Sequence, residues 1–373
     1  MKIKNAVKIV TINGIVFGVV LISIDLAFGR YLLHSPALDI PETIVGDRKL
    51  YDTSSIEERK IGTKSVYSRD QEGYRPSRND LGNRGIVLTI GGSTTDQRYV
   101  DDAKTWQSIL ESKTDKRVIN GGVDGQSTFG HVFSLKNWHV KTLDHEQVDD
   151  IIFYVGVNDV RFSKGLDSAR GNMYDSPTLL RRFRSYLSRR SFLYGRLREL
   201  KLKLDLLRGV QFKIPDGAVQ IGHGISNPDF LDNPISNNIP LRTHDEIREY
   251  KQLFNKLLTV SKKYFPNARI HVVQQQDPKC LISGSRVYIR VSPKAIPEIR
   301  EYCSGLASIY LSQQEIINTS SNADIFLVKM FWDNPVPDEG FYDGLHTNTL
   351  GSRTIGEYLA TNLKLQRSAQ SDK

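Results

Sequence analysis

The sequence is poor in the residues that build metal centres. Its 373 residues include eight histidines and two cysteines, Cys280 and Cys303. The cysteines form no Cys-x-x-Cys pair and the histidines show no metal-ligand spacing, so no zinc site is indicated. In an exported domain the two cysteines could form one disulfide, but they could equally be buried free thiols.

Two further absences limit the class of protein. No Gly-Lys-Ser or Gly-Lys-Thr element is present, which argues against a nucleotide-binding protein that uses residues 91–94 as a phosphate cradle. No internal repeat or low-complexity tract occurs, and the hydrophobic and charged fractions, 39% and 25%, are ordinary for a globular protein. A chain of this length predicts about two domains, or one domain with a large insertion.

A long apolar run is present near the N-terminus. Residues 9–28 contain no Lys or Arg, and these 20 residues would span about 30 Å as a helix. Lys2, Lys4 and Lys8 precede the run and, by the positive-inside rule, keep the N-terminus in the cytoplasm and export the rest. We therefore predict a membrane anchor within residues 1–35. The alternatives are a cleaved signal peptide, although no Ala-x-Ala site follows, and a buried helix of a soluble protein.

Positive charge is concentrated in one segment. Residues 181–213 contain eleven Lys or Arg and two acidic residues. The net charge of this segment is therefore +9, which equals the net charge of the whole chain. Leucines and aromatics recur there at helical spacing, so we predict a basic amphipathic helix. Such a helix could contact anionic headgroups or an acidic glycan, or it could be an ordinary solvated helical insert. Nucleic acid is not an expected partner of an exported domain.

Apolar runs alternate with helical patterns beyond residue 84. We predict strands at 86–90, 118–119, 149–155, 270–273 and 323–328, and helices at 105–113, 131–144, 243–265, from 292 and from 350. This alternation favours a parallel sheet covered by helices on both faces. Residues 36–84 are interpreted as a tether and lead-in segment, residues 85–373 as the main domain, and residues 160–242 as an insertion in it.

Four short fragments follow the predicted strands or lie in the loop after the last one. They are residues 91–94, 122–125, 156–159 and 343–346. In parallel sheets the ligand lies beyond the carboxyl ends of the strands, so we expect these fragments to meet there. They contain a hydroxyl, an imidazole with a nearby carboxylate, and several hydrogen-bond donors, and this set of groups predicts acyl transfer.

Ser93 is the candidate nucleophile. A serine hydroxyl needs an adjacent base, which we predict to be His346, with Asp343 fixing the imidazole tautomer. Three donors are predicted for the oxyanion: the backbone N–H groups of Ser93 and Gly125, and the side-chain amide of Asn158. Two nearby carboxylates receive other interpretations, Asp159 as a structural group and Asp96 as a charge at a helix start.

These motifs resemble those of the SGNH (GDSL-type) hydrolase family. Ser93 matches its first block, Gly125 its second, Asn158 its third, and Asp343 with His346 its last. The match covers about residues 85–160 and 265–362. Residues 73–75, Gly-Tyr-Arg, are also similar to a segment of membrane-tethered bacterial members. The sequence departs from the family pattern at Gly92, where the family has Asp, and at Thr94, where it has Leu.

The resemblance implies a flavodoxin-like three-layer α/β/α fold and a serine esterase that uses no metal or cofactor. It also implies single-pass anchoring in a bacterial inner membrane, with the catalytic domain in the periplasm. Some relatives remove or transfer O-acetyl groups on cell-surface polysaccharides. We therefore expect an esterase acting on an acylated glycan or a small ester. The alternatives are an O-acyltransferase that uses the same residues and a non-catalytic glycan-binding or scaffold protein of an envelope assembly.

Overall fold

The computed structural model describes residues 2–31, 35–40, 43, 45–46, 48–53, 64–76, 85–164, 186–187, 190–207, 233–235, 244–283, 286–289, 296–363 and 365. Its strands are β1 (Arg48–Asp52), β2 (Lys64–Ser68), β3 (Ile86–Gly91), β4 (Arg117–Asn120), β5 (Val148–Val155), β6 (Asn233–Ile235), β7 (Arg269–Gln274), β8 (Cys280–Ser283), β9 (Arg286–Ile289) and β10 (Ile325–Val328). Its α-helices are α1 (Lys2–Phe28), α2 (Ser93–Asp96), α3 (Trp106–Ser112), α4 (Thr128–Ser134), α5 (Val140–Thr142), α6 (Phe192–Leu207), α7 (His244–Tyr264), α8 (Ile296–Thr319), α9 (Met330–Asp333) and α10 (Thr349–Asn362).

Five strands form the central sheet, in the order β4-β3-β5-β7-β10, and every neighbouring pair is parallel. Numbered along the chain within this sheet, the order is 2-1-3-4-5, which is the flavodoxin-like arrangement. The predicted fold class is therefore confirmed. The order reverses beside β3, so the crevice expected to bind a ligand lies between the carboxyl ends of β3 and β5.

Two helical layers enclose the sheet because its strands are apolar on both faces. Every residue of β3 is buried; Leu88 and Ile90 pack into one core, whereas Val87 packs into the other. The larger core also contains side chains of α7 and α8, and the smaller one contains Trp106 of α3 and Leu359 of α10. The sheet thus has a layer of helices on each side.

The segment interpreted as a tether contributes to this domain. A 3₁₀ turn at Pro36–Asp39 buries Ala37 and Leu38 in the larger core. Strands β1 and β2 pair as an antiparallel hairpin, and the Val66 N–H of β2 donates to the Asp101 carboxylate at 3.0 Å. The described part of residues 36–84 is therefore packed against the sheet domain and does not extend away from it.

A second, three-stranded sheet has the antiparallel order β6-β9-β8. Neither β8 nor β9 was predicted from the sequence, and the helix start predicted at residue 292 lies outside the described residues. Cys280 of β8 and Cys303 of α8 form a disulfide with a Cα–Cα distance of 5.6 Å. Of the two alternatives left open by the sequence, the structure contains the disulfide.

Helix α1 contains the apolar N-terminal run. Its segment Lys8–Phe28 is long and apolar enough to cross a membrane, and none of that segment is buried against other parts of the protein. A signal sequence would have the same length and composition. Within the predicted basic segment 181–213, the structure describes helix α6 and a few residues before it.

Candidate active site

The fragment after β3 places a serine at the carboxyl edge of the sheet. Ser93 is the first residue of the short helix α2 and is half-buried. Gly92 precedes it, and a Cβ atom at this position would lie 2.3 Å from the Asn158 side-chain nitrogen. Since real Cβ contacts are not that short, glycine at position 92 leaves room for the Asn158 amide.

The last fragment is a tight loop between a 3₁₀ turn at Asp338–Gly340 and helix α10. Its two ends are joined because the Tyr342 N–H donates to the His346 carbonyl at 3.0 Å, and the Asn348 N–H donates to the Gly340 carbonyl at 3.0 Å. These bonds turn the loop toward the sheet edge, where it presents His346 to Ser93.

The structure brings the predicted serine, histidine and aspartate together. His346 Nε2 lies 2.8 Å from Ser93 Oγ, across a sequence separation of 253 residues, and His346 Nδ1 lies 2.6 Å from Asp343 Oδ2. The other carboxylate oxygen, Asp343 Oδ1, accepts the backbone N–H groups of Leu345 at 2.8 Å and His346 at 2.5 Å. Both carboxylate oxygens are therefore engaged, and the orientation of the carboxylate is fixed by the backbone.

An aromatic side chain supports the imidazole. The Tyr342 ring stacks on the His346 ring with a centroid distance of 5.7 Å and an interplanar angle of 13°. Burial raises the pKa of Tyr342 well above its ordinary value, and the neighbouring Asp343 carboxylate adds to this effect. The phenol therefore stays neutral.

The Asn158 amide, one of the predicted oxyanion donors, lies beside Gly92. The Asn158 amide donates one hydrogen bond to the Gln126 carbonyl at 2.8 Å, and an amide nitrogen carries a second N–H. Gly125 is exposed and has φ +70°, a left-handed conformation that favours glycine. Within the described part of the chain, the backbone N–H groups of Ser93 and Gly125 donate to no other group. These N–H groups are thus available to a ligand.

Asp159 is buried beside this site. Its two carboxylate oxygens accept the Thr128 N–H at 2.8 Å and the Thr128 hydroxyl at 2.9 Å, which joins the loop after β5 to the start of α4. Burial raises the pKa of Asp159 to about 7, although the Thr128 bonds oppose the shift. These contacts agree with the structural interpretation of this residue.

This shift predicts a pH dependence of stability. Because the folded pKa is above the ordinary value of 3.8, the stability from protonated Asp159 is fully present below pH 4 and is lost as the pH rises through 7. Between pH 5 and pH 8 we expect Asp159 to lower the free energy of unfolding by about 2–3 kcal/mol. Urea unfolding of the native protein and Asp159→Asn at both pH values measures this loss. An equal loss in the variant would contradict the assignment.

Asp96 has a larger role than a charge at a helix start. It is 1% exposed and accepts bonds from Arg69 Nη2 at 2.5 Å and the Tyr67 hydroxyl at 2.9 Å. Burial alone would raise the pKa of Asp96, but the positive charges of Arg69, Arg98 and Arg75 outweigh burial and lower it. The carboxylate therefore stays charged and fastens the β1–β2 hairpin to the residues after Ser93.

Two arginines with no predicted role in the site hold its loops. Arg98 forms an ion pair with Asp124 at 3.2 Å, next to Gly125. Arg75, in the Gly-Tyr-Arg segment, donates to the carbonyls of Asp96 at 2.7 Å and Gln97 at 2.8 Å. The resemblance of residues 73–75 to membrane-tethered family members was the one indication of Arg75 in the sequence. In the structure this arginine supports the turn that follows Ser93.

A lysine outside the predicted fragments holds the histidine loop. Lys279 Nζ donates to the Gly344 carbonyl at 2.7 Å, between the aspartate and the histidine of the loop. Lys279 directly precedes Cys280 of the disulfide. The disulfide thus lies next to the residue that supports the loop, and no motif in the sequence indicates this link.

Several of the described histidines outside the site are buried. His131 and His139 are buried, and burial lowers the pKa of each to about 3, so both are neutral at pH 7. Among the described residues, no group of His, Cys, Asp and Glu side chains could hold a metal ion. His223 lies outside the described residues.

Comparisons with known proteins give similarity of fold at low sequence identity. No family model and no curated protein sequence matches the chain. A structure from Bacteroides ovatus described as a GDSL-like lipase is 12% identical, with a TM-score of 0.40; the match covers 83% of this chain and 59% of that one. A lipolytic G-D-S-L family member from Veillonella parvula is 11% identical, with a TM-score of 0.39, and covers 74% and 97%.

A third similar structure is a salicylyl-acyltransferase from a tetracycline biosynthetic pathway. It is 10% identical, with a TM-score of 0.37, and the match covers 75% of this chain and 54% of that one. The neighbours therefore include proteins described as lipases and as an acyltransferase. At these values the similarity concerns the fold and does not extend to the activity of this chain.

Proposed function

We propose that this protein is a serine esterase that hydrolyses an acyl ester. The observation that carries the proposal is the continuous hydrogen-bonded row from Ser93 Oγ through both His346 nitrogens to Asp343, at 2.8 Å and 2.6 Å. A hydroxyl, an imidazole and an oriented carboxylate in this order are the groups that nucleophilic acyl transfer requires.

The proposed reaction begins when Ser93 Oγ attacks the ester carbonyl carbon and His346 Nε2 takes the hydroxyl proton. Negative charge moves to the carbonyl oxygen, where the N–H groups of Ser93, Gly125 and Asn158 stabilise it. The imidazolium, stabilised by Asp343, then gives its proton to the departing alcohol and leaves an acyl-serine. Water, deprotonated by the same imidazole, attacks the acyl carbonyl; the bond to Ser93 Oγ breaks, the imidazolium returns the proton to Oγ, and the acid is released.

The proposed substrate is an O-acetyl group on a cell-surface glycan. A row of aromatic rings leads away from His346: Tyr342 lies 6.3 Å from Tyr99, and Tyr99 lies 5.1 Å from Tyr51. Tyr99 and Tyr51 are half-buried, so part of each ring faces solvent. Such rings can pack against the apolar faces of sugar units. A small acyl ester displayed on a carbohydrate fits this surface.

Hydrolysis is favoured over transfer to a sugar hydroxyl because the His346 side chain is 28% exposed, which gives water access to the base. Transfer would use the same residues. Incubation with an activated acetyl ester and candidate glycans separates the two reactions: we expect acetate as the product, whereas acetylated glycan would favour the transferase.

We also propose that α1 anchors the protein in the bacterial inner membrane, with the site on the periplasmic side. The support is the exposed apolar surface of Lys8–Phe28 and the lysines that precede and begin it. The protein would then act at the outer face of that membrane.

A fluorophosphonate probe tests the proposed chemistry directly. We expect stoichiometric phosphonylation of Ser93, because His346 raises the nucleophilicity of its hydroxyl. Peptide mass spectrometry identifies the labelled residue, and exposed Ser112 is the internal control that should stay unmodified. Absence of label at Ser93 in folded protein would favour the non-catalytic scaffold alternative.

A further inference from the structure

Helix α6 of the insertion begins against the last turns of the anchor helix α1. The Asp25 carboxylate accepts the Leu193 N–H at 2.8 Å and the Ser191 hydroxyl at 2.9 Å. The rings of Phe28 and Phe192 lie 5.6 Å apart. The N-terminal end of α6 therefore lies beside the C-terminal end of α1.

These contacts explain why an acidic residue interrupts the apolar run. The N-terminus of a helix has unpaired N–H groups and a partial positive charge. A carboxylate at this end accepts hydrogen bonds from the N–H groups and is attracted by the positive charge, which stabilises the helix. Asp25 occupies this position for α6 and also accepts the Tyr31 hydroxyl at 2.6 Å. The carboxylate is thus used at the junction between the two helices.

Helix α6 exposes a stripe of leucines. Leu197, Leu200 and Leu204 are 65%, 53% and 43% exposed, and their spacing of three and four residues puts them on one face. An α-helix turns by about 100° per residue. By this count the stripe is bordered by three basic positions, Arg196, Lys201 and Lys203. Leu202 and Leu206 fall on the opposite side by the same count, so the stripe is distinguished by its solvent exposure and its basic borders. A helix with such an exposed stripe can lie in a membrane interface.

We propose that α6 lies in the headgroup layer on the periplasmic side of the membrane that α1 crosses, with its leucines toward the acyl chains and its basic residues beside anionic headgroups. The proposal uses the anchoring of α1 but is independent of the catalytic chemistry. Two observations select the membrane as the occupant of the stripe. The helix starts at the end of the membrane helix, so the lipid surface is adjacent, and the segment 181–213 carries a net charge of +9, which anionic lipid complements.

The contacts also connect this interfacial helix to the catalytic domain. Arg190, just before α6, forms an ion pair with Asp39 at 3.0 Å, and its carbonyl accepts the Arg30 N–H at 2.7 Å. Asp39 belongs to the 3₁₀ turn whose Leu38 is buried in the larger core. Helix α6 therefore adds a second attachment to the membrane and restricts rotation of the domain about α1.

Fluorescence quenching in vesicles tests the position of the stripe. Both native cysteines are in the disulfide, so Leu200→Cys provides a unique thiol for an environment-sensitive NBD label. Gly195→Cys is the matched control: position 195 lies on the opposite side of α6, and its Cβ has open space. The full-length variants are inserted into phosphatidylcholine vesicles with or without phosphatidylglycerol, and the quencher is a doxyl-labelled lipid.

We expect the label at 200 to be quenched at least about twofold more strongly than the label at 195, because an interfacial helix buries its apolar face about 5–10 Å deep. The difference should grow when phosphatidylglycerol is present. Since α1 holds the protein in both kinds of vesicle, this dependence on lipid reports on α6 alone. Leu204→Cys repeats the test if Leu200→Cys does not fold.

Equal quenching at 195 and 200, or none at either, would overturn the proposal. Protection of the label at 200 from aqueous iodide without quenching by lipid would assign the stripe to a second copy of the chain and would also overturn it. Intact mass confirms that α1 is retained, and fluorophosphonate labelling of the same samples reports separately on the catalytic site.

Discussion

Replacement of Ser93 by alanine is expected to lower kcat/KM for p-nitrophenyl acetate by about 10⁴-fold or more, because the acyl-serine can no longer form. The side chain is half-buried at the start of α2, and removal of one hydroxyl leaves the core unchanged. Initial rates measure the loss. The far-ultraviolet circular dichroism and the unfolding midpoint should match those of the native protein.

Ser112→Ala is the matched control for this variant. Its hydroxyl bonds only the carbonyl of Ile109 within α3, away from the histidine, so activity should stay within about twofold of the native value. Retention of full activity by Ser93→Ala would reject Ser93 as the nucleophile, however close it lies to His346.

Replacement of Asp343 by asparagine is expected to lower kcat by about 10³–10⁴-fold, and the hydrogen bonds of the loop give the reason. Asp343 Oδ1 accepts two backbone N–H groups, so the amide oxygen of asparagine must take that position. The NH₂ group then faces His346 Nδ1 and donates to it. The proton of the neutral imidazole is forced onto Nε2, which can no longer accept the proton of Ser93.

This prediction separates the effect of Asp343 on the imidazole tautomer from its effect on the conformation of the loop. The backbone bonds remain in Asp343→Asn, so KM and the unfolding midpoint should change little while kcat falls. Asp144→Asn is the control, because Asp144 is an exposed carboxylate that accepts the Glu146 N–H by a similar local bond. A loss of activity below about tenfold in Asp343→Asn would contradict the proposed role of the carboxylate.

The fold could be predicted from the sequence because its strands are apolar on both faces. The runs at 86–90, 149–155 and 270–273 stand out between polar segments, and each is a strand of the parallel sheet. The antiparallel strands β8 and β9 were missed because they are short and carry no comparable run. Their placement depends on the disulfide between β8 and α8 and on the pairing of β9 with β6, which lies far earlier in the sequence.

The proximity of the serine, histidine and aspartate was predictable because parallel strands bring their carboxyl ends to one edge. Their catalytic roles and those of the oxyanion donors remain predictions. The supporting residues were not predictable in the same way. Asp96 was interpreted as a charge at a helix start, and its partner Arg69 comes from the segment interpreted as a tether. Lys279 likewise reaches Gly344 across 65 positions. Such pairs depend on long-range packing, for which a local pattern gives no signal.

The short connection between α1 and the core has a consequence for where the protein can work. Eight peptide steps lead from Phe28 to Pro36, and the next residues, Ala37 and Leu38, are already inside the folded domain. Even a fully stretched chain of that length reaches about 28 Å. When α1 is in the bilayer, this connection limits the distance between the domain and the membrane surface. Ser93 then cannot reach polymer that lies farther from the membrane. For the proposed membrane-anchored esterase, turnover should therefore follow the density of ester groups at the membrane surface and not their concentration in the surrounding volume.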